Sequence, residues 1–223
     1  MCKKIVFLSV FITSLLFGKF DSKSVQNFFS SYSKPYLIVV KKSEYHLWIV
    51  DRNLRIIDEA KVAVGKNNDL KPKIYENDQR TPQGLYKIIE SIHQDMPPES
   101  PEYIRLQKMN KIKFLAKDGY YRWNNPKQDL GTNAFGYGFF RLNYPNQQDK
   151  RRYLIALRKK DIPLKDKNSL EFIKMGDGIA IHGTNDPDSI GHAISSGCIR
   201  VKNEDLRRMV SFFKKGSYVL IEP

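Results

Sequence analysis

Two side chains in this 223-residue sequence are of the types that together make and break acyl bonds. Cys198 lies in Ser195-Ser196-Gly197-Cys198-Ile199-Arg200, and sixteen positions upstream the apolar run Gly178-Ile179-Ala180-Ile181 ends in His182-Gly183-Thr184. A thiol with its ordinary pKa of about 8.5 is mostly protonated at neutral pH. It becomes a strong nucleophile when an imidazole takes its proton or local dipoles favour the thiolate. His182, at the end of a predicted strand, would be held by a sheet and open to a cleft. Gly197 permits a tight turn in which the backbone N–H groups of Gly197 and Cys198 aim at one point, a nest able to stabilise the oxyanion of a tetrahedral intermediate. Gly183 leaves room for a sharp turn or a close backbone approach beside the histidine. A lone cysteine is more often a small buried hydrophobe, so the expectation rests on the pair.

His182-Gly183-Thr184 followed by Ser195-Ser196-Gly197-Cys198-Ile199-Arg200 resembles the signature of the YkuD-type L,D-transpeptidases, peptidoglycan cysteine transpeptidases with L,D-carboxypeptidase-like relatives. Thr81-Pro82-Gln83-Gly84-Leu85-Tyr86 is similar to the family's Thr-Pro-x-Gly-x-[Phe/Tyr] element. Asn203-Glu204-Asp205 resembles the start of the helix after the cysteine, and Gly216 to Ile221 the closing strand. The resemblance runs from Tyr36 to Glu222. It implies Cys198 as nucleophile, His182 as proton acceptor and then donor, the Gly183 carbonyl as the group fixing the imidazole tautomer, and the Gly197 and Cys198 N–H groups as the oxyanion hole. Ser196 stands where many members carry a second histidine.

Arg200, Ser195, Ser196 and Thr184 are the substrate-binding candidates. Arg200 either holds a substrate carboxylate by a bidentate contact or forms a structural ion pair behind the loop. Ser195 is expected to hydrogen-bond within the turn. No cofactor and no metal are expected, since the spacing of His182, His192 and Cys198 matches no familiar zinc pattern. His46 and His93 have no partner nearby in sequence.

The implied reaction is acyl transfer from a peptidoglycan tetrapeptide stem, through a Cys198 thioester, to an amine. With water as acceptor the enzyme would be an L,D-carboxypeptidase or another peptidoglycan hydrolase. A non-catalytic peptidoglycan-binding module is the third reading.

The elements that must position these residues are mainly β. Apolar runs at Tyr36–Val40, Tyr45–Val50, Arg55–Ile57, Ala60–Val64 and Leu85–Ile89 alternate with polar punctuation such as Lys41-Lys42-Ser43-Glu44. Strand signals return at Gly138–Leu142, Gly178–Ile181 and Tyr218–Ile221, so sequence-distant strands must pair. The expected fold is an antiparallel sandwich or barrel with a few helices. The strand spacing breaks between about residues 91 and 176, an insertion with helices predicted at Pro101–Lys111 and Asp149–Lys160 that serves either as a lid or substrate wall or as cover for a sheet edge. After the cysteine, Asn203 is the expected N-cap of a helix whose Leu206, Met209, Val210 and Phe213 share a face.

The domain is expected over residues 35–223, after a linker at 19–34 that forms a tether or a short helix. Lys3 and Lys4 before the thirteen-residue apolar run Ile5–Phe17 fit an export signal or N-terminal anchor over residues 1–18. That places the protein in the periplasm or facing the cell wall. Lys and Arg number 38 against 24 Asp and Glu, a net charge of +14. The excess suits an anionic wall polymer or membrane surface as partner beside the stem peptides, and export removes nucleic acid.

Overall fold

A computed structural model describes residues 20–111, 133–165 and 171–223. The predicted export segment lies outside these residues. None of the described helices is long and apolar enough to cross a membrane.

The chain runs α1 (Ser22–Ser31), β1 (Tyr36–Lys41), β2 (His46–Asp51), β3 (Ile56–Gly65), β4 (Gly84–His93), α2 (Pro101–Lys111), β5 (Gly138–Leu142), α3 (Gln147–Lys159), β6 (Ala180–His182), β7 (Ala193–Ser195), β8 (Ile199–Val201), α4 (Asn203–Arg208) and β9 (Tyr218–Glu222). Strands pair in the order β2-β1-β9-β4-β5-β6-β8-β3, and β3 pairs back onto β2, which closes a barrel. β7 adds to the end of β3. The barrel expectation holds, but the sheet is mixed. β1 runs parallel to β9, β6 to β8 and β3 to β7. Strand direction is set by long connections, and hydropathy does not record it.

The barrel interior is filled by alternate residues: Ile38 and Val40, Leu47 and Ile49, Val62 and Val64, Ile88, Phe140 and Leu142, Ile181, Ile199 and Val201, Val219 and Ile221. Leu206, Met209 and Phe213 after β8 plug it, all fully buried, and Gly216 at φ +92° turns the chain away into β9. Val210, expected on the same face, packs on this cluster while remaining partly exposed.

β1 and β2 read as continuous apolar runs because they are covered on both faces. Leu37, Val39, Trp48 and Val50 point outward, under Val25, Phe28 and Phe29 of α1. Each of those α1 side chains contributes about 1.5–3 kcal/mol of burial before ordering costs. Asp21 caps α1 by accepting from Lys23 N at 3.0 Å, and its own N–H donates to Glu222 on β9 at 3.1 Å. Arg52 satisfies the carbonyls of Phe29, Tyr32 and Lys34 as the helix ends. Of the two forms open to the stretch before Pro35, the helix is the one adopted. It is packed on the barrel from Phe20 onward, so this stretch is not a bare linker.

β3 is one strand where two short ones were expected. Asp58 and Glu59 look like punctuation, but both serve as strand residues. Glu59 accepts from Trp48 Nε1 at 2.9 Å, and Asp58 takes a charge-assisted pair from Arg208 at 2.9 Å. Lys42, also expected in a polar turn, is buried. Its ammonium donates to Lys71 O at 2.8 Å and to Thr81 O at 3.4 Å, and burial pushes its pKa down to about 8. It anchors the loop 66–83, which leads into the Thr81-Pro82 element.

Candidate functional site

β6 and β8 lie side by side, with Ile181 opposite Ile199 and His182 opposite Arg200. Opposed residues share a face and successive residues alternate. Ile181, Ile199 and Val201 therefore enter the barrel core, while Ala180, His182, Cys198 and Arg200 share the outer face. Sheet geometry brings the two residues singled out by sequence onto one patch, offset by two positions along parallel neighbours, a diagonal of about 7–8 Å between backbones that side chains span.

His182 is buried on this face. Its Nδ1 lies 2.5 Å from the carbonyl of Gly183, the contact expected to fix the tautomer. With Nδ1 carrying the proton toward that oxygen, Nε2 is left as an acceptor. The ring stacks on Phe139, its Cα partner on β5, at 6.2 Å between centroids, and meets the edge of Phe135 at 5.2 Å. Burial, with the Arg200 charge adding to it, pushes the imidazole pKa down to about 4 against the pull of the Gly183 carbonyl. At neutral pH the ring is uncharged and able to accept a proton.

Cys198 is partly exposed, and its Sγ lies 3.6 Å from the Gly178 carbonyl. Burial raises its pKa. A hydrogen bond from the Ala180 backbone and the charges of Arg200 and Lys73 work the other way. The resting pair is thus a neutral thiol beside a neutral imidazole.

The turn before the cysteine is fixed from three sides. Gly197 sits at φ +137°, and a side chain there would meet the Arg80 carbonyl at 2.9 Å, so glycine is required. Ser195 Oγ donates to Cys198 O at 2.5 Å and accepts from Gly197 N at 3.1 Å. That serine is a structural member of the turn, and the Gly197 N–H, expected to face substrate, is engaged by it. Thr81 Oγ1 donates to Gly197 O at 2.9 Å and accepts from Gly65 N at 2.9 Å, joining loop 66–83, the end of β3 and the cysteine turn. Buried Asp78 sets the approach to Thr81 by accepting from Ile74 N, Arg80 N and Lys73 Nζ at 2.7, 3.0 and 2.7 Å.

Thr81 is a residue that spacing could not assign a task, although its motif was legible. Thr81→Val keeps the volume and leaves the Gly65 N–H and Gly197 C=O buried without partners. The expected cost is about 2–4 kcal/mol of stability in urea unfolding, largely restored by Thr81→Ser. An unchanged midpoint would disprove the buttress.

On the histidine side the knot is Asn203. Its expected role as N-cap is not the one it plays, because Lys202 occupies the cap position and Asn203 is the first helical residue. Its Oδ1 accepts from Tyr137 N at 2.9 Å and Thr184 N at 3.2 Å, and its Nδ2 donates to Thr184 O at 2.8 Å. Side-chain amides satisfy strand-end backbone as readily as helix ends, and only the fold determines which is near. Thr184, a substrate-binding candidate, is buried with its hydroxyl bonded to the Asp186 backbone, which shapes the loop. Ser196 is exposed. Arg200 is half-buried, forms no ion pair among the described residues, and its Nε is buried without a hydrogen-bond partner. The structural ion pair offered as one of its two roles is therefore not formed among them.

The α2 helix of the insertion packs on the outer face of the sheet. Leu106 of α2 packs with Ile92, Phe139 and Ala180, with Met109, Phe135 and Cys198 at the margin. Asn110 of α2 donates to Gly136 O at 2.8 Å and accepts from Phe135 N at 3.1 Å, placing Phe135 against His182. A cleft of about 630 Å³, lined by Thr184 and Asn203 with Gln94, Tyr137 and Glu204, includes neither Cys198 nor His182. His192 is exposed, His93 stacks on Tyr137 and His46 on Trp48, all apart from the β6–β8 face.

Fold and site together define a closed mixed barrel domain that carries a thiol and an imidazole on one outer face. The YkuD profile, described as the L,D-transpeptidase catalytic domain, matches residues 35–221, and the chain belongs to this family. A stretch of 43 residues is 51% identical to the YkuD protein of Bacillus licheniformis, named as an L,D-transpeptidase; it covers 19% of this chain and 26% of that protein. Among solved structures, the helical cell shape determining protein Pgp2 from Campylobacter jejuni is 20% identical with a TM-score of 0.49, over 88% of this chain and 55% of that one. Bd1075 of Bdellovibrio bacteriovorus is 23% identical with a TM-score of 0.46, over 84% and 48%. The chain thus spans about a quarter of the sequence relative and about half of each structural one.

Proposed function

We propose that the domain is an exported cysteine acyltransferase acting on peptidoglycan tetrapeptide stems. The observation that carries this reading is the β6–β8 register, which sets Cys198 and His182 on a common face beside Arg200, a guanidinium with no ion pair among the described residues. Nε2 of neutral His182 accepts the thiol proton as sulfur attacks the carbonyl of the third, L-centred residue. The oxyanion is met first by the Cys198 N–H, since the Gly197 N–H is held by Ser195 Oγ. The tetrahedral intermediate collapses to a thioester, and the imidazolium returns its proton to the departing D-alanine amine. An incoming amine then gives its proton to His182 and takes the acyl group. Arg200, half-buried on this face, suits the carboxylates of the stem.

Water in place of the amine yields the carboxypeptidase reading. Incubating the protein with tetrapeptide muropeptides and weighing the products separates the cases. Cross-linked dimers identify a transferase and tripeptides alone a hydrolase. Unchanged substrate with no adduct on Cys198 would leave only the peptidoglycan-binding module. Export rests on Lys3, Lys4 and Ile5–Phe17, and is tested by fractionating cells for the mature protein.

The pH profile follows from the site. His182 must be neutral to accept a proton, so activity is present above its pKa and lost as pH falls through about 4, well below the imidazole's ordinary 6.5. Arg200→Gln removes the charge that adds to burial in holding the pKa down, and the acid limb of kcat/KM moves upward. A limb at 6.5 in the unaltered protein would mean that the ring is not buried during turnover.

A further inference from the structure

α3 is tied down on one side only. Asp149 and Ala156 are buried, with Asp149 accepting from the buried Tyr86 hydroxyl at 2.8 Å. The opposite face carries Lys150, Arg151, Leu154, Ile155, Arg158 and Lys159 in one stripe at positions i, i+1, i+4, i+5, i+8 and i+9. Leu154 and Ile155 are each 51% exposed. The four flanking cations form no ion pair among the described residues, although helices commonly place a partner three or four positions away. Beside α3, Tyr153 donates to Ile173 O at 2.5 Å, and Ile173 N pairs with Leu164 O at 3.0 Å. That pairing presents Leu164 and Phe172, the two most exposed large apolar side chains described, with Lys165 over the Phe172 ring at 5.3 Å. Among the described residues, the acids along this edge are Asp161 and Glu171.

We propose that this stripe and the adjoining Leu164/Phe172 pair form a docking face for an anionic phospholipid surface. Apolar side chains bracketed by cations are the pattern of a helix lying in the headgroup plane, where charge draws the protein in and the apolar groups sink past the phosphates. A soluble polyanion would satisfy the cations but bury none of the apolar surface. A second copy of the chain would set the same cations against one another. The inference is independent of the reaction assigned to Cys198.

The test uses the full chain with Cys2→Ser and Cys198→Ser, and an environment-sensitive fluorophore on Ile155→Cys or, as a control, on exposed Ser43→Cys. On vesicles containing about one third phosphatidylglycerol in phosphatidylcholine, the label at 155 should shift to the blue and brighten by at least about twofold, and high salt should reverse much of the change. Pure phosphatidylcholine should give no change, and the label at 43 none on either. Arg151→Glu with Arg158→Glu should abolish the shift and Leu154→Ser should reduce it, with unfolding midpoints confirming intact folds. The proposal is overturned by any of three results: no shift at 155; an equal shift on neutral vesicles or at 43, which would assign binding to the N-terminal segment; or an equal shift with soluble poly(glycerol phosphate).

Discussion

Cys198→Ala is expected to lower turnover of tetrapeptide stems by at least about 10⁴-fold, while the unfolding midpoint stays within about 1 kcal/mol of the parent. The two readouts separate because of where the thiol sits. Cys198 is only partly buried, its polar contact is the weak 3.6 Å approach to Gly178 O, and the turn around it is held by Ser195, Thr81 and Gly197 through backbone atoms that alanine retains. Removing sulfur therefore deletes the nucleophile and little else. The adduct should vanish from mass spectra along with the products. Cys198→Ser should recover only a trace, because a hydroxyl is far less acidic than a thiol and neutral His182 is a weak base toward it. Cys198→Ala turning over stems at the parental rate would end the covalent mechanism.

Gly183→Ala is the second large effect, and it arises from space alone. A methyl group at 183 would lie 2.2 Å from Asn203 Oδ1, 2.7 Å from Tyr137 N and 3.0 Å from Phe135 O. Two of these are backbone atoms of the segment leading into β5, and the third already binds Tyr137 N and Thr184 N. Relief requires either moving that segment or breaking the Asn203 knot, so a stability loss of about 3–5 kcal/mol is expected. The Gly183 carbonyl also holds His182 Nδ1, and displacement of the ring by about 1 Å is worth on the order of 10²-fold in rate. Thermal unfolding and kcat measured on the same preparation should fall together. If Gly183→Ala matched the parent in both, the packing described around Asn203 would be wrong.

What could be read in advance followed the range of each signal. β1 and β2 were legible as apolar runs because burial there is continuous through the middle of each strand. α2 was legible because helical spacing repeats over three turns. β7 and β8 were not, because three residues give no period, and the residues that flank the cysteine are chosen for the turn. Asn203 shows the limit for a single polar side chain: the sequence marks it as a hydrogen-bonding residue near a helix start, but its partners lie at 137 and 184. Thr81 and Gly197 are 116 positions apart and share one hydrogen bond that no local pattern predicts.

The stripe on α3 was written in the sequence as a helix, yet which of its faces stays open depended on Tyr86 reaching Asp149 from another strand. His182 followed the same logic. Its residue type made it a base near neutrality, and enclosure by Phe139, Phe135 and Arg200 moved its pKa to about 4.

The sequence by itself determined the candidate thiol and imidazole, the glycines that let backbone pass close to them, and the apolar patterning that suits a sandwich or a barrel. Those are local properties, set by bond geometry and side-chain chemistry. The tertiary structure alone decided that β6 and β8 run parallel in the register placing His182 and Cys198 on one face, which N–H groups stay free, and how far burial shifts each proton. Register and desolvation arise from chain segments far apart in sequence, and they exist only once the barrel has closed.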